Sequence, residues 1–197
     1  MPLSGSRTRS NYVAADPVVS NDPECCVSSS VFPTDTNLTT ERLVLRPWAA
    51  GDIAAVLADA RSAHWAADFP AEGDRVIAGF IAEQFADPTV SGHRLIIERE
   101  TGQVVGSIGM MWPPSEGALE IGYGVVASRR GRGYATEATR ALVAYALTLP
   151  EVHTVYADVE SANPASIRVL EKAGLRRRSG DADIARFDTA DANSHRS

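Results

Sequence analysis

Residues 125–138 constrain the fold of this chain more than any other stretch, because they demand a strand, a tight turn and a helix in immediate succession. Val125 and Val126 end an apolar run, and Arg129, Arg130, Gly131, Arg132 and Gly133 make the turn. Tyr134, Ala138, Ala141, Leu142, Tyr145 and Leu149 then recur at helical spacing. The first N–H groups of a helix have no partner inside it, and the helix dipole adds positive potential at that end. A strand that feeds such a terminus through glycines is therefore a cradle for an anion, phosphate above all. Gly131 and Gly133 let the backbone approach the guest and take left-handed dihedrals. A Walker loop is excluded by the lack of Gly-Lys-Ser/Thr, and a dinucleotide fingerprint by the lack of a third glycine at the required spacing.

The segments around the cradle read as one mixed α/β domain. Residues 41–46 alternate, with Leu43 and Leu45 on one face, and form a first strand that Pro47 stops. Asp52 is expected to cap a helix carrying Ile53, Val56 and Leu57. A second helix from about Asp74 places Val76, Ile77, Phe80, Ile81 and Phe85 on one apolar stripe. Residues 62–70 between them lack a period, and from the residues alone His64 and Trp65 there read as ordinary packing. Residues 93–99 and 103–111 form a hairpin about Thr101 and Gly102, and residues 113–117 turn the chain into a fourth strand, 118–126. After the cradle helix, which Pro150 ends, come a fifth strand at 152–159, a short helix that Gly174 closes, and an antiparallel pair at 175–179 and 184–188.

Residues 1–36 are rich in Ser, Asn, Asp, Pro and Thr with isolated apolar residues, so they are expected to be a disordered tail. The domain then covers 37–190, with 191–197 as a frayed end. A net charge of -6 argues against a nucleic-acid or membrane surface. Without a run of 18 apolar residues or an export signal, a cytoplasmic protein is expected. The two cysteines, Cys25 and Cys26, are adjacent in the tail and cannot frame a disulfide fold, and no ligand spacing points to a metal.

The fourth strand carries the sharpest chemical signal. Leu119, Ile121, Tyr123 and Val125 share one face, while Glu120, Gly122 and Gly124 share the other. A carboxylate whose same-face neighbours are glycines lies where something other than a side chain can rest against the sheet.

Together these features resemble the GCN5-related N-acetyltransferases (GNAT), in particular their ribosomal-protein alanine acetyltransferase branch. Residues 130–135 fit the family's Gln/Arg-x-x-Gly-x-Gly/Ala pattern, and residues 40–47, 120–125, 163–166 and 170–175 fall in its order. The resemblance implies a single α/β domain with a mostly antiparallel sheet of about seven strands, splayed between the fourth and fifth, and about four helices. It implies acetyl-CoA as co-substrate, no metal, and direct acetyl transfer in a ternary complex to a primary amine, either a protein N-terminus or a small molecule. Partners beyond the acceptor are limited to a second copy, in a monomer or homodimer.

Site residues follow from the resemblance. Arg130, Gly131, Arg132, Gly133, Tyr134 and Ala135 would cradle the pyrophosphate, and the backbone near Val125 and Val126 would hold the pantetheine arm and face the thioester carbonyl. Asn163 matches the residue that bonds this arm, or is an ordinary helix cap. Glu120 is the first candidate for general base and Asp158 the second. Leu170 stands where many relatives carry a proton-donating tyrosine, which leaves Ser166 as the nearby hydroxyl, or else as a helix-surface residue. A module that binds acetyl-CoA without turnover, and an enzyme using a different acyl donor, are the alternatives.

Overall fold

The chain runs through β1 (Leu38–Thr39), β2 (Leu43–Pro47), α1 (Ala50–Leu57), α2 (Glu72–Gln84), β3 (His93–Glu98), β4 (Val104–Ser115) and β5 (Ala118–Val125). It continues through α3 (Tyr134–Ala146), β6 (Thr154–Glu160), α4 (Pro164–Ala173), β7 (Arg176–Gly180) and β8 (Ile184–Asp188). This computed structural model describes residues 36–189, so the expectations for the N-terminal tail, for Cys25 and Cys26 and for residues 191–197 lie outside the described residues.

The eight strands among the described residues form one sheet in the order β1-β2-β3-β4-β5-β6-β8-β7. Neighbours are antiparallel except β5 and β6. That parallel pair is brief: Ala118, Leu119 and Glu120 face Thr154, Val155 and Tyr156, and pairing ends there. The remaining halves of β5 and β6 diverge, which is the splay expected between the fourth and fifth strands. The count exceeds the expected seven because Leu38 and Thr39 add a two-residue edge strand on β2.

Alternation along the strands assigns the faces. Leu45 opposite Ile96, and Ile108 opposite Tyr123, share one side, buried under α3 and α4. On the other side lie Leu95, Ser107, Gly124, Gly122 and Glu120, with α2 crossing above Ser107.

Three local expectations are corrected. Leu57 is exposed, and in α2 Val76 and Phe80 are exposed too, because the helix turns Asp74, Ile77, Ala78 and Ile81 inward. This set is still an i, i+3, i+4, i+7 stripe, but with a carboxylate as its first member. Asp52 does not cap α1 from outside; Ala49 is the N-cap, and Asp52 accepts its N–H at 2.9 Å from the third helical position. Finally, Pro113 and Pro114 belong to β4, not to a turn. β3 pairs no further than Gly109 and the β4–β5 register shifts after Met111, so prolines there remove no ladder bond. The turn contracts to Glu116 and Gly117, both at positive φ.

Candidate active site

A cavity of about 580 Å³ runs from the start of α2, along the free edge of β5, to the α3 cradle and one flank of α4. Its volume is in the range of small-molecule sites. Gly131 and Gly133 line it with φ of +75 and +81, values that favour glycine. Gly133 is the N-cap of α3, and a Cβ built on Gly131 would meet nothing within 4 Å, so the cradle is open to a guest.

The cradle is held from beneath by two carboxylates. Glu98 in β3 is buried and accepts from Thr101 at 2.6 Å and from the Tyr134 hydroxyl, with the guanidinium groups of Arg129 at 3.6 Å and Arg132 at 3.7 Å. Hydrogen bonds from Thr101 and Tyr134 keep its carboxyl below the usual range, so it remains an anion. Glu137 accepts from Thr40, from the Arg42 backbone and from the Arg42 guanidinium, which also donates to the Arg132 carbonyl at 2.9 Å. At the other end of the turn, Asp68 takes the Ser128 N–H and hydroxyl at 2.8 and 2.6 Å. The turn is thus fixed before any ligand arrives, which lowers the ordering cost of binding.

The β5 edge departs from one expectation. The Val126 N–H donates to the Val105 carbonyl at 2.9 Å and its side chain is buried, so Val126 offers nothing to the cavity. Since N–H groups alternate along a strand, those of Val125 and Tyr123 point the opposite way, toward the splay that β6 has left. Val125 and Tyr123 line the cavity.

Of the expected cradle residues, Arg130, Gly131, Gly133, Tyr134 and Ala135 line the cavity, whereas the Arg132 side chain turns toward Glu98. The Asn163 side chain caps α4 by accepting the Ser166 N–H at 3.1 Å, and the residue also lines the cavity. Ser166 is no helix-surface residue; it is 7% exposed, on the cavity wall, and its carbonyl accepts from the Tyr123 hydroxyl at 3.1 Å. Burial pushes that tyrosine up to about 12. Leu170 is in the core, and Trp65 is buried edge-on against Phe69 with ring centres 5.1 Å apart, a packing residue.

The two expected bases differ. Glu120 is the last β5 residue paired with β6; the Tyr156 hydroxyl donates to it at 3.2 Å, and burial, aided by Asp158 nearby, raises its carboxyl above the usual range. It stands at the vertex of the splay, outside the lining of the main cavity. Asp158 gives both oxygens to Arg186 at 2.8 and 2.6 Å and touches a separate void of about 20 Å³.

Arg129, already placed in the turn by the sequence, also lines the cavity, and the lining residues that escaped the sequence reading include Arg168 and Lys172 on one face of α4. Their four-residue spacing was a readable signal. Asp74, Glu72 and Ala71 at the start of α2 also line the cavity.

Comparison with known proteins agrees with this geometry. A sequence profile described as Acetyltransferase (GNAT) domain matches residues 42–176. The chain is 35% identical over 82 residues to the uncharacterised N-acetyltransferase YjdG of Bacillus subtilis, covering 41% of this chain and 49% of that protein. It spans about half the length of the curated relatives it matches. Among solved structures, a GNAT-family acetyltransferase from Bacillus anthracis superposes with a TM-score of 0.57 at 21% identity, covering 78% of this chain and 97% of the other. A ribosomal-protein-S5-alanine acetyltransferase from Vibrio fischeri gives 0.57 at 16%, covering 78% and 96%. At these identities the structural likeness is one of fold.

Proposed function

This chain belongs to the GNAT acetyltransferase family, and on that premise we propose that it transfers an acetyl group from acetyl-CoA to a primary amine, either a protein N-terminus or a small molecule. The observation that carries the reading is the continuity of one cavity, which joins a basic, glycine-lined helix terminus to the free edge of a splayed strand. A phosphorylated carrier with an amide-bearing arm needs both features. Arg129, Arg130 and the α3 N-terminus would take the phosphates, and the N–H groups of Tyr123 and Val125 would take the arm and polarise the thioester carbonyl. One such donor aimed at a developing oxyanion contributes about 2.7–4 kcal/mol.

An attacking amine must be neutral, whereas free primary amines are mostly protonated at neutral pH. Glu120 is the proposed base for this first proton, acting through a water because it stands at the vertex of the splay. Its raised carboxyl and its Tyr156 contact support the role. Asp158 is set aside, since Arg186 holds it. Ser166, buried on the wall, is the proposed hydroxyl near the leaving sulfur, and Asn163 the residue beside the arm.

The test is calorimetry with acetyl-CoA, followed by thiol release with spermidine, free amino acids and a peptide with an alanine N-terminus. Gly131→Asp should remain folded and lose acetyl-CoA binding, since its Cβ stands in open space on the cavity wall and would bring a carboxylate to the pyrophosphate. Unchanged affinity in that variant would remove the carrier assignment. Binding without turnover on any amine would make the protein an acetyl-CoA reader.

A further inference from the structure

We propose that Asp74 is a second catalytic carboxylate, one that contacts the acceptor amine in the cavity and takes a proton from its nitrogen. The inference rests on the acetyl transfer proposed above and adds a residue to it. Asp74 lies at the third position of α2 and lines the same cavity as Gly124 and Val125. Its Oδ1 accepts from the Ser107 hydroxyl at 2.5 Å and its Oδ2 from the Ala71 N–H at 2.9 Å. Ser107 is in register with Gly124, so the carboxylate is suspended over the side-chain-free part of β5, on the sheet face that also carries Glu120. Glu120 itself is outside the cavity lining, whereas Asp74 is on it.

The fold contains an internal control for the bland reading, in which Asp74 does nothing but finish a helix. Asp52 occupies the same third position in α1 and accepts the Ala49 N–H at the same 2.9 Å. That carboxylate is neutralised by Arg46 at 2.9 and 3.0 Å. Asp74 performs the cap equally well but is 3% exposed, faces a serine hydroxyl, and has its neighbour Arg75 drawn away to Asp59 at 2.7 Å. Capping requires neither the burial nor the serine. Burial also pushes this carboxyl up to about 6, where both protonation states are accessible near neutrality.

The chemistry has room for two bases. Between ammonium and amide the nitrogen loses two protons. Glu120 removes the first through solvent. The nitrogen lone pair then forms the C–N bond, the carbonyl electrons move onto oxygen and return as the C–S bond breaks, and Asp74 takes the second proton from nitrogen as the sulfur leaves with its electron pair. That proton passes on to the thiolate, so the products are the amide, the free thiol and one proton in solvent.

The test uses the full chain with acetyl-CoA and whichever of the three amine probes is turned over. Asp74→Asn can still accept from Ala71 and donate to Ser107, so its melting temperature should not fall and its acetyl-CoA affinity should stay within about twofold. Its kcat should drop about 10²- to 10⁴-fold, without recovery at high pH. Ser107→Ala should move the acid limb of the kcat/KM profile to higher pH, because the carboxylate loses a bond that favours its charged form. A purely structural Asp74 would move neither. Asp74→Asn with kcat within about threefold of the parent, or an unmoved limb in Ser107→Ala, overturns the assignment while leaving acetyl transfer intact. A parent protein that binds acetyl-CoA but acetylates no amine overturns both.

Discussion

Replacing Asp74 by Asn should make the protein more stable at neutral pH, even as it removes a proposed catalytic group. The Asp74 carboxyl sits at about 6 against an ordinary 3.8, with desolvation as the main cause. A group raised in the folded state contributes its stability fully below the unfolded value and loses it as pH rises through the folded value. Two units at 1.36 kcal/mol each put the cost of ionising Asp74 inside the fold at about 3 kcal/mol, present in full above about pH 7. Asparagine carries no charge and can keep both hydrogen bonds, so the variant avoids this cost. For a domain of this size that difference corresponds to a melting temperature higher by about 6–12 °C. Melts of parent and variant at pH 3, 5 and 7.5 test it. The two should lie close together at pH 3, below the unfolded value, separate between about pH 4 and 6 and reach the full gap by 7.5, while ionisations common to both cancel in the difference. A gap that is constant with pH, or that favours the parent at 7.5, refutes the reasoning.

Glu120→Gln should lower kcat by about 10²- to 10⁴-fold with little change in acetyl-CoA affinity. Raising the pH toward the amine's own pKa should recover much of the loss, and a variant with parental kcat at pH 7 would show Glu120 to be a spectator. Glu98→Gln removes the charge that gathers Tyr134, Arg129 and Arg132 under the cradle. Acetyl-CoA affinity should weaken about tenfold, equivalent to 1.4 kcal/mol, which calorimetry would detect. Deleting residues 1–35, which spares the Thr36 carbonyl that accepts from the buried Arg94 at 2.6 Å, should leave the melting temperature and acetyl-CoA affinity unchanged, and a melting point lower by several degrees would show that this segment docks.

The parts of the site legible in the sequence were those set by contiguous residues. The strand, turn and helix around Arg130 to Ala135 formed as read, because the three are adjacent in the chain. The glycine-flanked face of Glu120 was likewise visible from alternation alone. What escaped depended on packing between distant segments. Asp74 was passed over because counting apolar residues favoured the Val76 and Phe80 face of α2, whereas burial selects a stripe that begins with a carboxylate meeting Ser107, 33 positions away. The retirement of Asp158 required Arg186, which arrives from β8. Val126 looked like part of the binding edge until the β4 ladder claimed its N–H, and the direction of a single amide is set by register.

The divergence of β5 from β6 places an edge in the middle of a sheet. Edges are where foreign strands add on, and proteins usually keep them at the margin and guard them with charge or proline. Here the two strands are still joined at Glu120 and Tyr156, so the opening is a wedge, closed at one end and only a few residues deep. A wedge is too short to template a second chain yet long enough to grip a single extended molecule. On the acetyl transfer proposed above, substrate and product carriers would share an arm in that wedge and differ at its tip, so the spent carrier would keep most of the hold enjoyed by the loaded one. Competition between the two should therefore set the pace of turnover when free thiol accumulates.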